Sequence, residues 1–447
     1  MPRLAGGLPG PGKLLVALSG GGDSVALLRV LAAMAPEKGW RVAAGHVDHG
    51  LRPDSGQDAQ FCRNLAARLG LEFCLRKVRV NPAGRSPEEA ARQLRREALL
   101  QMAASLGSPI IALGHTADDQ AETLLSRLLS GTGPTGLAGM RPFSEPFWRP
   151  FLFIRRQELR DYLKALGQDW LSDPSNQQLD FLRNRVRHRL LPLAEELFNP
   201  QAVEALGRLA GLCADEEDHW GRWCGGILKR AARREGSSLC INFEYLQKMD
   251  KAPLRRLLRQ AVGEITGSGQ HLLSHHVDQL LRLLAGPPGR QIDLPGGLWA
   301  GREHDALRLD QGRGPVDFST QLMGPGCVQI PEIGKILLVE PAPEPGEFAA
   351  RGPAAWLPAA RVRWPLLIRT PQKGERFRPL GAPGSKLLSR FLLDQKVPLW
   401  WRRRTVVVAD KLGIWWAGPW SVSERARKKG DESAWLRLLL IDTYKLR

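Results

Sequence analysis

The hexapeptide Ser19-Gly20-Gly21-Gly22-Asp23-Ser24 sets three glycines, one acid and two hydroxyls between an apolar run and a helical pattern. Leu14-Leu15-Val16-Ala17-Leu18 before it reads as a buried strand, and Val25-Ala26-Leu27-Leu28 after it opens the helix. Glycines at such a junction let backbone N–H groups approach a polyanion, and the positive end of the helix adds to the attraction. No lysine stands where a Walker A loop requires one, and Asp23 falls where the spacing of a G-x-G-x-x-G fingerprint fails. The segment predicts a phosphate cradle made of backbone and distinct from both, with an ordinary tight turn as the competing reading.

Gly114-His115-Thr116-Ala117-Asp118-Asp119 carries the densest chemistry in the chain. Asp118 and Glu122 are four residues apart and Asp119 and Glu122 three, so these acids share a helix face. Carboxylates grouped beside a phosphate cradle suit Mg2+, at Asp23 and Asp119 above all, because that ion takes one or two carboxylates plus phosphate oxygens. They equally suit an incoming ammonium group. Acids in a first helical turn also favour the helix dipole, but that leaves His115 at the strand end unexplained. Arg92, Arg95 and Arg96 lie on one long helix, and Arg183 and Arg187 are one turn apart on another. Both sets could reach phosphates or form a solvated basic face. His46 and His49, each taken alone, read as structural, and no zinc-ligand spacing exists.

These groups need elements to position them. Apolar β-type runs near 13–18, 41–47, 72–80 and 109–114 alternate with helical patterns near 24–35, 54–69, 86–105 and 116–130. That alternation predicts an α/β fold, a parallel sheet with helices on both faces. Ligands of open α/β sheets bind outside the carboxyl ends of the strands. Each polar cluster obeys: residues 19–24 follow the first strand, His46-Val47-Asp48-His49-Gly50-Leu51-Arg52 the second, and residues 114–119 the fourth.

A chain of 447 residues exceeds one ordinary core. Pattern changes suggest a first domain over 1–197 that carries the phosphate cradle and a mainly helical middle domain over 198–330. The middle shows apolar helical spacing in 202–212 and 272–284. It closes in a β-hairpin of strands 290–294 and 304–309, with Leu294-Pro295-Gly296-Gly297 as the turn. A linker over 331–358, rich in proline and acid around Glu340-Pro341-Ala342-Pro343-Glu344-Pro345, precedes a small α+β domain over 359–447. Strands near 362–369, 405–409 and 412–417 and a helix over 386–393 are expected there. The formal charge of +18 favours a polyanionic partner. Lys373 to Arg378 and Arg402-Arg403-Arg404 are candidates for phosphate contact, whereas Trp400, Trp401, Trp415, Trp416 and Trp420 read as core, with stacking on nucleotides as the competing reading. Six cysteines without a C-x-x-C pair suggest neither a zinc ribbon nor a redox dithiol, and predict buried thiols in a reducing compartment. No run approaches ~18 apolar residues, so no membrane partner is expected. The first residues lack a secretory apolar stretch, and a cytoplasmic location follows as the expectation.

The loop SGGGDS resembles the pyrophosphate loop of enzymes that split ATP into AMP and pyrophosphate. With HVDHGLR and GHTADDQAETLLSRLLSGTGPTGLAGM, the chain is similar to the tRNA(Ile)-lysidine synthetase family. The similarity runs on through Asp173-Pro174-Ser175-Asn176 and Arg183-Asn184-Arg185-Val186-Arg187-His188-Arg189-Leu190-Leu191-Pro192. It continues at Gln291-Ile292-Asp293-Leu294-Pro295-Gly296-Gly297 and Lys373-Gly374-Glu375-Arg376-Phe377-Arg378-Pro379-Leu380-Gly381, and so covers most of the chain. It departs at Arg95-Arg96, where the family often has Arg-Tyr, at Lys386-Leu387-Leu388, which replaces Lys-Lys-Leu, and near Arg404-Thr405, which lacks a following proline.

The resemblance implies an adenine-nucleotide alpha-hydrolase-like first domain, ATP and Mg2+ as cofactors, and ligation of free L-lysine to the wobble cytidine of the CAU-anticodon tRNA(Ile). Ser19, Gly20, Gly21, Gly22, Asp23, Ser24, His46, Asp48, Gly114 and His115 are implied at the nucleotide. Asp23, Arg95, His115, Asp118 and Asp119 are implied in catalysis, and Asp119 and Glu122 at the lysine. Arg183, Arg187, Arg376, Arg378, Lys386, Arg402 and Arg403 are implied at the tRNA. A thiolating ATP pyrophosphatase is the nearest rival, and the lack of paired cysteines speaks against it. A non-catalytic tRNA-binding protein is another, against which the intact glycine loop and acids speak. Subunit number stays open, a homodimer included.

Overall fold

Leu14 to Ala17 are all buried because their strand, β1 (Gly12–Ala17), runs through the centre of a sheet covered on both faces. The computed structural model describes residues 7–48, 50, 55–78, 87–172, 182–235, 237–267, 272–311, 317–344, 351–397, 399–430 and 432–442. His49 and the Asp173-Pro174-Ser175-Asn176 motif lie outside the described residues. The chain divides into two compact units, residues 1–219 and 220–447.

In the first unit β1 is followed by α1 (Gly22–Lys38), β2 (Trp40–Asp48), α2 (Ser55–Arg68), β3 (Glu72–Lys77), α3 (Pro87–Leu106), β4 (Ile110–Ala112) and α4 (Ala117–Leu129). This is the alternation expected. Then come α5 (Pro134–Leu137), β5 (Phe143–Ser144), β6 (Phe147–Trp148) and α6 (Arg156–Ala165). The sheet order is β3-β2-β1-β4-β6-β5, parallel except for the short edge strand β5. One face packs Leu14 and Val16 against Leu27 and Leu31 of α1 and against Trp148, and the other packs Leu15 and Ala17 against Leu99 and Met102 of α3. Because β1 lies between β2 and β4, the winding reverses beside it, and the carboxyl ends of β1 and β4 flank a topological switch point. Further along, α7 (Leu182–Arg185) runs into a π-helical turn over 186–190, then α8 (Leu191–Leu197) and α9 (Ala202–Ala231).

The second unit contains β7 (Ala232–Glu235), β8 (Ser238–Asn242), α10 (Phe243–Gln247), α11 (Lys251–Thr266), α12 (Ser274–Ala285), β9 (Gln291–Asp293), β10 (Trp299–Arg302) and β11 (Ala306–Asp310). These strands form an antiparallel sheet, β7-β8-β11-β10-β9, over Leu257, Leu258, Val277 and Leu280 of the helices. The expected hairpin is therefore a meander. Leu294-Pro295-Gly296-Gly297 leads into β10, a strand hidden from pattern reading because it is only four residues long and buries Gly301 and Arg302 beside its apolar residues.

The segment expected as a linker is largely sheet. After β12 (Ser319–Leu322) and β13 (Gly326–Ile330) come β14 (Lys335–Ala342) and β15 (Ala354–Pro358), which flank β22 (Trp435–Asp442) in the order β13-β14-β22-β15. Proline is tolerated in β14 because β13 ends opposite Val339, so Pro341 pairs with Leu436 on one side alone. Glu340 is neutralised by Arg437, directly across the sheet. A second sheet, β12-β16-β19-β20-β21, is built from β16 (Leu366–Arg369), β19 (Val406–Asp410), β20 (Gly413–Gly418) and β21 (Ser421–Val422). Trp415 and Trp416 lie in its core, as expected. A ribbon of β17 (Arg376–Phe377) and β18 (Lys386–Leu387), with α13 (Leu388–Asp394) and α14 (Leu399–Arg403), completes the unit. All six cysteines are free; three are buried, but Cys327 is exposed on the edge strand β13. Among the described residues no helix is long and apolar enough to cross a membrane.

Candidate active site

The glycine loop closes through its own hydroxyls. Ser24 Oγ accepts from the Ser19 backbone N–H at 3.1 Å and donates to the Gly21 carbonyl at 2.8 Å. Gly21 caps α1 without a side-chain acceptor; its carbonyl takes the Ser24 N–H at 3.0 Å, and the start of the helix can offer the Gly22 and Asp23 N–H groups to an anion. Gly20 has φ +89°, and its carbonyl accepts from Leu171 N at 2.9 Å, while a Cβ there would stand 2.6 Å from the Leu171 side chain. Trp170 lies against Gly22 on the same side. Gly114 is needed for a different reason: a Cβ would meet the Asp23 carbonyl at 3.0 Å, so the end of β4 presses directly on the start of α1.

The acids of α4 diverge. Asp119 and Thr116 form a capping box, Asp119 Oδ2 accepting from Thr116 N and Oγ1 at 2.9 Å each. Its Oδ1 accepts from Arg156 at 3.1 Å, Arg183 at 3.0 Å and Arg187 at 3.2 Å. Glu122, with a side chain 0% exposed, accepts from the same three guanidiniums at 3.3, 3.0 and 2.7 Å. Arg156 also reaches Asp23 at 3.2 Å, so one guanidinium touches three carboxylates. Asp118 turns away. Its Oδ2 accepts from Arg156 N at 2.7 Å, fixing the start of α6, and its Oδ1 meets Arg155, which also binds Glu195 and Glu204.

These surroundings set the protonation. Burial would raise Asp119, but the positive charges of Arg156 and Arg183 outweigh it and bring the carboxyl down to about 2. Asp23 goes the other way: burial lifts it above the usual carboxylate range despite Arg156. Burial pushes His115 down to about 4, so its imidazole is neutral near pH 7, and its buried Nδ1 has no hydrogen-bond partner among the described residues.

Ser19, Gly21, Gly22, Asp23, Ser24, Arg95, Gly114, His115, Asp118, Asp119, Arg183 and Arg187 all line one cavity of about 1220 Å3 at the switch point. Gly20 and Glu122 are not among its lining residues. Neither are His46, buried with Nδ1 at the Leu18 carbonyl (2.8 Å), and Asp48, which accepts from Gly50 N at 2.9 Å. Nine arginines line the cavity against four aspartates, an excess suited to a polyanion. Sequence reading missed Arg149, Arg155, Arg156 and Arg160. Their one signal, a basic pair at the start of an amphipathic helix after Phe151-Leu152-Phe153-Ile154, is unremarkable in a chain with 64 Lys and Arg. Among the described residues no group of three or more His, Cys, Asp or Glu could hold a metal. A cation here would complete its shell from phosphate oxygens and water, as Mg2+ does.

The residues implied at RNA lie in the second unit, apart from Arg183 and Arg187. Arg376 and Arg378 are exposed and brace the loop before β18 through the Ser385 (2.9 Å) and Ala382 (2.7 Å) carbonyls. Lys386 pairs with Asp394 at 3.3 Å, Arg402 donates to the Val397 carbonyl at 2.6 Å, and Arg403 is exposed. Trp400 is taken up internally, with Arg404 over its ring at 3.4 Å and Trp299 at 5.0 Å.

A backbone cradle at the switch point of a parallel sheet, without a Walker lysine, defines the PP-loop class. The PP-loop domain profile matches residues 7–194, and that of the TilS substrate C-terminal domain matches residues 366–440. A tRNA(Ile)-lysidine synthase of Solibacter usitatus is 32% identical over 415 residues, covering 90% of this chain and 92% of that protein. One from Geobacter sulfurreducens is 34% identical over 405 residues, covering 88% and 85%. A solved TilS C-terminal domain, 23% identical, covers 28% of this chain and 97% of its own at a TM-score of 0.26. The chain belongs to the tRNA(Ile)-lysidine synthase family.

Proposed function

We infer that the protein is a C–N ligase that uses ATP to join free L-lysine to the wobble cytidine of the CAU-anticodon tRNA(Ile), releasing AMP and pyrophosphate. Membership of the family supports the reaction. The observation that carries it to particular residues is the meeting of Asp23, Asp119 and three arginines beside the glycine loop in one cavity.

The N–H groups of Gly20 to Gly22 hold the triphosphate. The cytidine carbonyl oxygen attacks the α-phosphorus, and the bond to pyrophosphate breaks. Arg95, Arg156, Arg183 and Arg187 spread the charge that gathers on the departing group. Mg2+, held by Asp23 and Asp119 together with phosphate oxygens, would supply further charge neutralisation there. The lysine ε-amine, an ammonium at its reference pKa of about 10.4, must lose a proton before it attacks the activated ring carbon and expels AMP. The carboxylates Asp23, Asp118, Asp119 and Glu122 are the candidate acceptors of that proton. His115, which lines the same cavity, is the candidate relay for that proton. Arg376, Arg378, Lys386, Arg402 and Arg403 contact tRNA phosphates, in the cytoplasm where tRNA is found. The test is incubation with ATP, Mg2+, labelled lysine and unmodified tRNA(Ile). ATP-dependent label on the wobble nucleoside is expected. Pyrophosphate release without label would reassign the nucleophile, and neither signal would leave a tRNA-binding protein.

A further inference from the structure

We propose that Arg156, Arg183 and Arg187 mask the carboxylates that receive lysine, and that a polyphosphate on the glycine loop draws the arginines off, so that lysine enters after ATP. The proposal rests on the reading that Asp119 and Glu122 hold the lysine ammonium. All four oxygens of that pair accept hydrogen bonds, and guanidiniums occupy three of them. Asp119 is 6% exposed and Glu122 0%, so an ammonium can reach them only by displacing a guanidinium. The charges agree: three arginines balance Asp23, Asp119 and Glu122, and one more cation would be uncompensated in a site of low effective dielectric.

A polyphosphate reverses both obstacles. Its oxygens match guanidinium geometry bidentately and add the missing negative charge. Arg156 is placed to make the exchange. Its Nε already bonds Asp23 of the loop at 3.2 Å, its Nη atoms face Asp119 and Glu122, and its backbone N–H is anchored to Asp118 at 2.7 Å. The side chain can swing while the backbone stays. Arg183 and Arg187 line the same cavity as the loop. Such an order admits the amine only to a site that already holds its nucleotide, a specificity obtained by induced fit.

The experiment is equilibrium dialysis of labelled L-lysine against the full chain, alone and with α,β-methylene ATP or inorganic pyrophosphate. Either anion is expected to tighten lysine binding roughly tenfold or more, and lysine must tighten the anion by the same factor. Lysine affinity indifferent to a demonstrably bound anion overturns the mask, as does absence of lysine binding in every state. Arg156→Gln is expected to strengthen lysine binding without the anion and to shrink the coupling, while Arg156→Lys retains it. Wild-type coupling in Arg156→Gln overturns the role of that residue; a coupling factor is a ratio, so partial loss of folded protein cancels. If lysidine forms normally while the coupling is absent, the mask alone falls. If coupling is present but no lysidine forms, the mask stands and the proposed reaction falls.

Discussion

Glu122→Gln isolates one charge in the arginine cluster. The substitution keeps the shape of the side chain but leaves three guanidiniums on Asp119 and Asp23. Removing one partner of a buried ion pair costs about 3–5 kcal/mol, much of it the penalty of the charge left behind. Here the penalty is shared and partly relieved: Arg183 and Arg187 side chains are 37% and 21% exposed, and Asp119 stays in place. A net cost of about 2–3 kcal/mol follows by discounting for solvent. At about 2–4 °C per kcal/mol for a unit of this size, the first unit should melt about 4–12 °C lower by scanning calorimetry. A second readout has the opposite sign. With one negative charge removed beside the glycine loop, pyrophosphate should bind several-fold tighter and recover part of the lost Tm. An unchanged Tm together with weaker pyrophosphate binding would refute the account of the cluster.

Three further outcomes are expected. His115 is held near 4 against about 6.5 unfolded, so the unfolded chain binds the extra proton between those values and stability rises with pH across that window; His115→Gln should flatten the rise in urea titrations at pH 4 to 7. Asp23→Asn should lower lysidine formation by at least about a hundredfold with tRNA affinity near normal, and lost tRNA binding would contradict a local role. Truncation after residue 350 removes β22, the partner of β14, and exposes Leu337 and Val339, so the shortened chain should lose cooperative unfolding of its second unit as well as tRNA affinity; retained cooperativity would contradict the pairing.

The first sheet was legible because its strands are buried on both faces and its polar clusters sit where strands end. The glycine loop was legible because Gly20 must adopt positive φ and Gly114 must pass a carbonyl, both requirements of residue type. The linker was misread because composition signals solvent exposure and not pairing: Pro341 lies where one neighbour strand has already ended, and Glu340 finds its counter-charge in Arg437, 97 residues away. Asp118 and Asp119 looked equivalent in a helical projection. Their difference comes from α6, whose first backbone N–H claims one and whose first side chain claims the other. That distinction needs three dimensions, as did Arg156.

The glycine loop is made early, but Trp170 and Leu171, which press on it, and Arg183 and Arg187, which balance Asp119 and Glu122, leave the ribosome much later. At about 5–20 residues per second this delay is on the order of ten seconds or more. In its later part the nascent chain carries Asp119 and Glu122 first without any of their three guanidinium partners and then, once Arg156 is made, without two of them. Competence to bind nucleotide thus arrives in one late step, and an unfinished chain has a phosphate loop with nothing to activate.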